Sequence, residues 1–259
     1  MITSLKKIFW TKFSFIDGQL KFPQLQKEEI GIQLGFDMTF PITSDLFTMC
    51  KRILPNGKII GIDPDPFNYQ IAKNIISEKK FNIQLIQKGT HSKKDTVYFL
   101  IGEKSSWNQL AIIPKDTTVA ITEKEISVEI NTLDNILEEH NVDIQQIGHI
   151  NITINGAEYD TLLGMDEILR EVTNLSLTII AGRYDESGVI NGENDYDLIL
   201  PLLHSYGFTT KFKRINELFW WGFIVKCLVN RKWIYNQKNY GVIMAAKGNK
   251  NLKWYQSFS

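Results

Sequence analysis

The feature that most constrains this fold is a pair of short apolar runs near the start, each closing on a residue with a turn or polar role. The run EIGIQLG (residues 29–35) ends at Gly35, and KIIGI (58–62) ends at Asp63. Between them Leu46, Met49, Cys50, Ile53 and Leu54 recur at helical spacing, and Pro55, Asn56 and Gly57 stop that helix. The pattern is strand, glycine turn, helix, strand. Asp65 is placed to cap a following helix whose first residue, Pro66, has no N–H to lose, and Ile71, Ile75 and Ile76 supply its buried stripe. Residues 83–86 read as the next strand. Strands alternating with helices of this length specify a parallel sheet covered on both faces, joined by right-handed crossovers.

Downstream the signal weakens and then returns. From 90 to 125 the helical period is lost, with short strands expected at 96–100 and 127–131 around a polar loop holding Ser105, Ser106 and Trp107. Residues 133–140 read as a helix and 149–154 as a strand. A helix from Ala157 onward turns Leu162, Leu163, Ile168 and Leu169 inward, and 175–180 is a buried strand. Beyond it, 196–206 looks helical, and 208–214 and 241–246 look like strands flanking an aromatic-rich insertion at about 215–240. The expected fold class is α/β and Rossmann-like: a mostly parallel central sheet with helices on both faces and an antiparallel C-terminal strand. Its 259 residues suit one such domain, 1–259, carrying that insertion.

Charge and cysteine content exclude several function classes. Lys plus Arg and Asp plus Glu both number 29, so there is no bulk attraction to nucleic acid or anionic lipid. Cys50 and Cys227 lie far apart among apolar residues, which fits buried thiols in a reducing, cytoplasmic setting. Lys6 and Lys7 are followed by no continuous apolar core, because Thr11, Lys12 and Ser14 interrupt it, so no export signal is read. The longest apolar stretch, 218–229, is too short to span a bilayer of roughly 30 Å and contains Lys226. The four histidines show no metal-ligand spacing with one another or with Asp and Glu, and no metal is expected.

In an open α/β sheet the ligand meets the carboxyl ends of the strands, where the turn after the first strand lies. Gly31 and Gly35 belong to that turn region, and glycine there admits positive φ and a close backbone approach. A nicotinamide or flavin site prefers GxGxxG before a helix; residue 33 is Gln, and that signature is absent. Asp63, ending the second strand, is placed to accept hydrogen bonds from both hydroxyls of a ribose. Turn and acid together indicate a nucleoside-containing ligand; the plainer alternative is a glycine-shaped turn with Asp63 merely opening the next helix.

Three further segments sharpen this. GKIIGIDPDP (57–66), INTLDNILEEH (130–140) and HINITINGAEYDTLLGM (149–165), taken with the glycine turn, resemble the FkbM family of S-adenosylmethionine-dependent methyltransferases over about residues 28–181. In that family the blocks look like DxGANxG, AIEPxP, TLD and KIDxEGAE. Glu29, Gly31 and Gly35 match the first, Asp63, Pro64 and Pro66 the second, and Thr132, Leu133 and Asp134 the third. The resemblance implies S-adenosylmethionine as cofactor, with Glu29, Gly31 and Gly35 around its methionine part and Asp63 at its ribose. It also implies methyl transfer to a hydroxyl of a sugar or natural-product acceptor. In the fourth block Asn151, Thr153 and Asn155 replace the Lys, Asp and Glu, leaving Gly156, Ala157 and Glu158.

Methyl transfer from a sulfonium is an in-line displacement in which positioning supplies much of the rate, and a hydroxyl acceptor still profits from a nearby orienting group or base. Glu158 and Asn155 are the candidate catalytic pair. Their spacing of three is equally that of a capping box, in which both side chains satisfy backbone N–H groups at a helix start. His91 is a weaker candidate base, and Arg183, Tyr184, Asp185 and Glu186 are candidates for reading the acceptor. The insertion, with Phe219, Trp220, Trp221, Phe223, Trp233 and Tyr235, fits four roles: a helix packed on the sheet, a cap over the substrate, a dimer contact, or a peripheral contact with a membrane carrying a lipid-linked glycan. Two other readings stay open: a cofactor-binding module without turnover, and a nucleotide-sugar or nicotinamide enzyme sharing only the architecture.

Overall fold

A computed structural model describes residues 22–23, 25–39, 41, 44–53, 57–100, 109–111, 125–154, 156–181, 195–214, 241–250 and 252. Seven strands form one sheet in the order β10, β11, β9, β8, β1, β2, β3. These are β1 (Ile30–Leu34), β2 (Lys58–Ile62), β3 (Ile83–Ile86), β8 (Ile147–Ile152), β9 (Ser176–Ala181), β10 (Thr209–Arg214) and β11 (Gly241–Ala246). β1, β2, β3, β8 and β9 are parallel, and β11 runs against both its neighbours. The helices are α1 (Asp45–Ile53), α2 (Pro66–Lys79), α3 (Leu133–Glu139), α4 (Glu158–Leu163), α5 (Asp166–Glu171) and α6 (Asp195–Ser205). The expected α/β class, the parallel sheet and the reversed C-terminal strand are all present.

Alternation along the central strands sorts their side chains onto two faces. Ile32, Leu34, Ile150, Ile152, Leu177 and Ile179 face one way and join Leu133, Ile136, Leu162, Ile168, Leu169, Ile199 and Leu203 of the helices in one buried cluster. On the other face Ile59 packs with Phe22, Phe36, Met38, Leu46, Met49, Cys50 and Ala72. The second face is polar at its centre. Register aligns Gly31, His149 and Ser176 in one row and Gln33, Asn151 and Thr178 in the next. The five polar side chains are buried there.

One expectation needs correction. The helix expected from Ala157 onward is broken into α4 and α5, because Gly164 lies against the His91 carbonyl so closely that a Cβ would collide with it. Leu163 consequently turns outward and is 43% exposed, whereas Leu162, Ile168 and Leu169 are buried. The short strands expected at 96–100 and 127–131 are present as β5 (Asp95–Leu100) and β7 (Glu125–Asn131), and they belong to a second sheet in the order β4 (Gly89–Thr90), β7, β5, β6 (Gln109–Ala111). β4 and β6 are two and three residues long, too short for any period to register.

Candidate functional site

β1 and β2 are neighbours, and their carboxyl ends bring Gly35 and Asp63 together. Gly35 has φ +71 and donates its N–H to Ile62 O at 2.8 Å; a Cβ there would strike the Thr153 carbonyl oxygen on the loop after β8. Only glycine fits. Asp63 is 5% exposed, and each of its carboxylate oxygens accepts a backbone N–H: Oδ2 from Phe36 at 2.7 Å, Oδ1 from Asp65 at 2.8 Å. One acid thus ties the loop after β1 to the loop after β2. Burial pushes its pKa up from the usual carboxylate range to about 7, against the opposing pull of those two N–H bonds. Asp65 caps α2 through Phe67 N, with Pro66 as the first helical residue, as the sequence predicts. Asn68, from that helix, accepts Met38 N at 3.0 Å and pins the β1 loop a second time.

The structure does not bring Glu29 and Gly31 to this edge. Glu29 precedes β1, about 20 Å from Gly35 at roughly 3.3 Å per strand residue, and so lies at the amino end of the sheet. Its carboxylate accepts Gln26 N and pairs with Lys250 Nζ at 2.5 Å. Gly31 lies inside β1 beside Ile59 and His149. The glycine that follows the strand is Gly35.

Gln33 is the functional-edge residue that sequence reasoning missed. It is fully buried, and its Nε2 donates to Gly35 O at 2.6 Å and to Thr153 Oγ1 at 2.9 Å, while its Oε1 accepts Asn151 Nδ2 at 2.7 Å. Thr153 Oγ1 also reaches Gly35 O at 2.8 Å. Gln33, Asn151 and Thr153 therefore form one neutral network under the turn, and Asn151 and Thr153 stand where the family pattern has Lys and Asp. The exchange is incomplete in one respect: Asn151 Oδ1 is buried with no hydrogen-bond partner among the described residues.

Glu158 lies beyond β8 at the same edge, is 2% exposed, and its Oε2 accepts Gly156 N at 3.0 Å. It is the first residue of α4, after an Ala157 cap that makes no side-chain bond, and so does not sit at the third helical position that a capping box gives its Glu. Asn155 lies outside the described residues, as do Ser105, Ser106, Trp107, Arg183, Tyr184, Asp185, Glu186, Cys227 and the whole insertion at 215–240. His91 is buried where the second sheet meets α4, with Nδ1 at 3.1 Å from Ser92 Oγ and Nε2 at 3.7 Å from Asp160 Oδ2. Burial lowers its pKa, and the Asp160 charge only partly offsets this. Among the described residues no three of His, Cys, Asp and Glu gather as they would around a metal ion, and no helix is long and apolar enough to cross a membrane.

The TLD block is structural. Thr132 Oγ1 caps α3 by accepting Asn135 N, and Leu133 is fully buried. Asp134 reaches across to α5, where its two oxygens accept Glu167 N at 2.9 Å and Ile168 N at 3.2 Å. It supplies the cap that α5 lacks in its own sequence.

The strand order, the single reversed strand β11 and the glycine turn beside a second-strand acid define a Rossmann-like class I methyltransferase fold. Residues 35–210 match the family described as the methyltransferase FkbM domain, and the chain belongs to that family. Similar solved structures include fibrillarin from Aeropyrum pernix with natively bound S-adenosyl-L-methionine, at 10% identity and TM-score 0.46, covering 90% of this chain and 73% of that one. An O-methyltransferase from Bacillus cereus in complex with SAH is similar at 10% identity and TM-score 0.45, covering 92% and 80%. The O-methyltransferase TomG from Streptomyces achromogenes, involved in tomaymycin synthesis, is similar at 8% identity and TM-score 0.45, covering 92% and 79%. No curated protein matches the sequence significantly.

Proposed function

We propose that this chain binds S-adenosylmethionine at the Gly35–Asp63 edge and transfers its methyl group to a hydroxyl of a sugar or natural-product acceptor. The observation that carries the cofactor reading is Asp63: a buried carboxylate at the end of β2 whose two oxygens each take one backbone N–H. Of about four lone-pair sites on a carboxylate, these two N–H groups and the Asn68 side chain take three, which leaves room for a ribose hydroxyl. The surroundings suit a nucleoside without phosphates. The helix that follows the turn, α1, begins ten positions after Gly35 (45 − 35) and with an acid, Asp45, so its N-terminus does not directly follow the turn as a pyrophosphate site requires. Asp37 and Asp63 add negative charge beside the same turn, which opposes a phosphate and favours a cation.

When bound, the cofactor supplies an electrophilic methyl group on a positively charged sulfur. The work left to the chain is positional. Gly35 keeps the turn close against the Thr153 carbonyl, Asp63 and Asn68 pin the loop, and Glu158 at the β8 edge orients the acceptor or takes up its proton, with Asn155 as its candidate companion. A hydroxyl acceptor follows from the family resemblance. Incubation with methyl-labelled S-adenosylmethionine and pooled glycan, lipid-linked glycan and small-hydroxyl acceptors tests it: label should appear as a methyl ether. Label on nitrogen or a carboxylate, or on RNA, would overturn the hydroxyl assignment.

A second reading is favoured by one observation, the neutral Gln33–Asn151–Thr153 network, in which Asn151 and Thr153 stand where the family pattern is charged. It makes the chain a binding module of the same fold. Tight cofactor binding with no methyl transfer to any of those pools supports it, and turnover above the uncatalysed rate removes it.

A further inference from the structure

We propose that Asp160 takes the proton given up by the acceptor hydroxyl and passes it to His91, an assignment that rests on the hydroxyl-methylation reading above. Each transfer breaks the S–CH3 bond, leaves its electron pair on sulfur and forms O–CH3. The hydroxyl proton is set free and needs a base within reach. Glu158 is a poor store for it, because that side chain is enclosed and already accepts Gly156 N. Asp160 stands two residues further on, in the first turn of α4, with its side chain 41% exposed. A proton taken there has a way out to solvent.

Hydrogen counting around Asp160 identifies the atom that can receive a proton. Ser92 Oγ donates to Asp160 Oδ1 at 3.2 Å, so its single hydrogen is used and it accepts from His91 Nδ1, 3.1 Å away. Nδ1 therefore carries the ring hydrogen. Neutral His91 is left with a bare Nε2, 3.7 Å from Asp160 Oδ2, so two acceptors face each other with no hydrogen between them. One added proton completes the cluster, because Nε2–H then meets the carboxylate while the other two bonds persist. The 3.7 Å separation is longer than a hydrogen bond, as is frequent at catalytic sites before substrate binds. Both partners are held in place: His91 N bonds Asn131 O at 2.9 Å, and the Thr161 hydroxyl, next to Asp160, donates to Thr90 O at 3.0 Å. The other charges facing the ring are Lys93 and Asp95, which pair with each other at 3.6 Å, so Asp160 is the charge that stabilises a protonated His91.

The test follows methyl-ether formation by the full chain from S-adenosylmethionine and the pooled hydroxyl acceptors, from about pH 5 to 8. Saturating cofactor keeps the titration of Asp63 out of the rate. The wild-type rate should fall at acid pH as His91 charges, with a midpoint below 6.5, since burial holds the ring's pKa down. His91→Gln should cut the rate at least tenfold and remove that fall, while S-adenosylhomocysteine affinity stays within about twofold of wild type. Asp160→Asn should cut the rate similarly and, by removing the charge, move the His91 titration seen by imidazole nitrogen NMR to lower pH. The same spectra of the wild-type chain at pH 7 should show the ring hydrogen on Nδ1. An unchanged rate in His91→Gln, an acid fall that survives it, or a rate lost only in proportion to cofactor affinity would mean that the cluster merely docks the second sheet on α4. Each of these overturns the proposal, as does a ring hydrogen on Nε2. A wild-type chain that binds the cofactor but methylates no hydroxyl removes the underlying reading instead, and this assignment with it.

Discussion

Asp63 carries a conflict that a ligand would resolve. Its pKa stands near 7 because burial penalises the charge more than two N–H bonds reward it. The folded pKa lies above the unfolded one, so this group's contribution to stability is complete below about pH 4 and is lost as pH rises through 7. Ribose hydroxyls donate best to the ionised form, so ligand binding should have the opposite slope. We expect S-adenosylhomocysteine affinity to fall, by up to about tenfold per unit, as pH drops from 7 toward 5, with a proton released on binding. Titration calorimetry across that range checks it; affinity that is flat with pH, or equally steep in Asp63→Asn, would contradict it. Gly35→Ala should destabilise the chain by roughly 1–3 kcal/mol from its positive φ alone, and more from displacing the Thr153 carbonyl, as a chemical denaturation midpoint would show. Both residues were legible in the sequence, since a turn glycine and a strand-ending acid have few other uses. Glu29 and Gly31 were misplaced because a strand's alternation looks the same from either end. An acid two residues before a glycine therefore fits at the amino edge as well as at the carboxyl edge.

Elements are joined in this protein by side chains borrowed from neighbours. α5 takes its N-terminal bonds from Asp134 of α3, and α4 is held to the β4 segment by the Thr161 hydroxyl, which donates to Thr90 O at 3.0 Å. Asp134→Ala should cost about 1–2 kcal/mol, with the cooperative unfolding otherwise retained. A change below a few tenths of a kcal/mol would show that α5 does not depend on that cap. Such contacts explain the uneven legibility of this region. Thr132 as a helix cap follows from local pattern, but the role of Asp134 depends on a helix 33 positions away (167 − 134). The break at Gly164 depends likewise on a carbonyl from residue 91. In the second sheet β5 and β7 were legible at 96–100 and 127–131, whereas β4 and β6 are too short to show alternation.

For the molecule as a whole, the central strands combine an apolar face with a polar one, and a histidine on the polar face contributes an acid-sensitive part of the stability. His149 is fully enclosed, its Nδ1 at 2.9 Å from Ser176 Oγ, and burial, aided by the Lys250 charge, lowers its pKa to about 3. Above pH 6.5 it is neutral folded or unfolded; as pH falls below that, the unfolded chain takes the proton first and stability is lost until about pH 3. The slope from this one group is about 1.4 kcal/mol per pH unit. In Asp63→Asn, where the opposing contribution of that acid is removed, denaturant titrations at pH 7 and pH 5 should differ in that direction, and adding His149→Gln should flatten the difference. The architecture and the Gly35–Asp63 pairing together make binding of an adenosyl cofactor the central claim. A thermal-shift titration with S-adenosylmethionine, S-adenosylhomocysteine, NAD and a nucleotide sugar tests it most directly. At a hundred times the dissociation constant a bound ligand stabilises by about 2.7 kcal/mol, a rise of a few degrees. The first two ligands should produce that rise and the last two none; a shift with NAD or the nucleotide sugar alone, or none with either sulfur cofactor at millimolar concentration, would contradict the account.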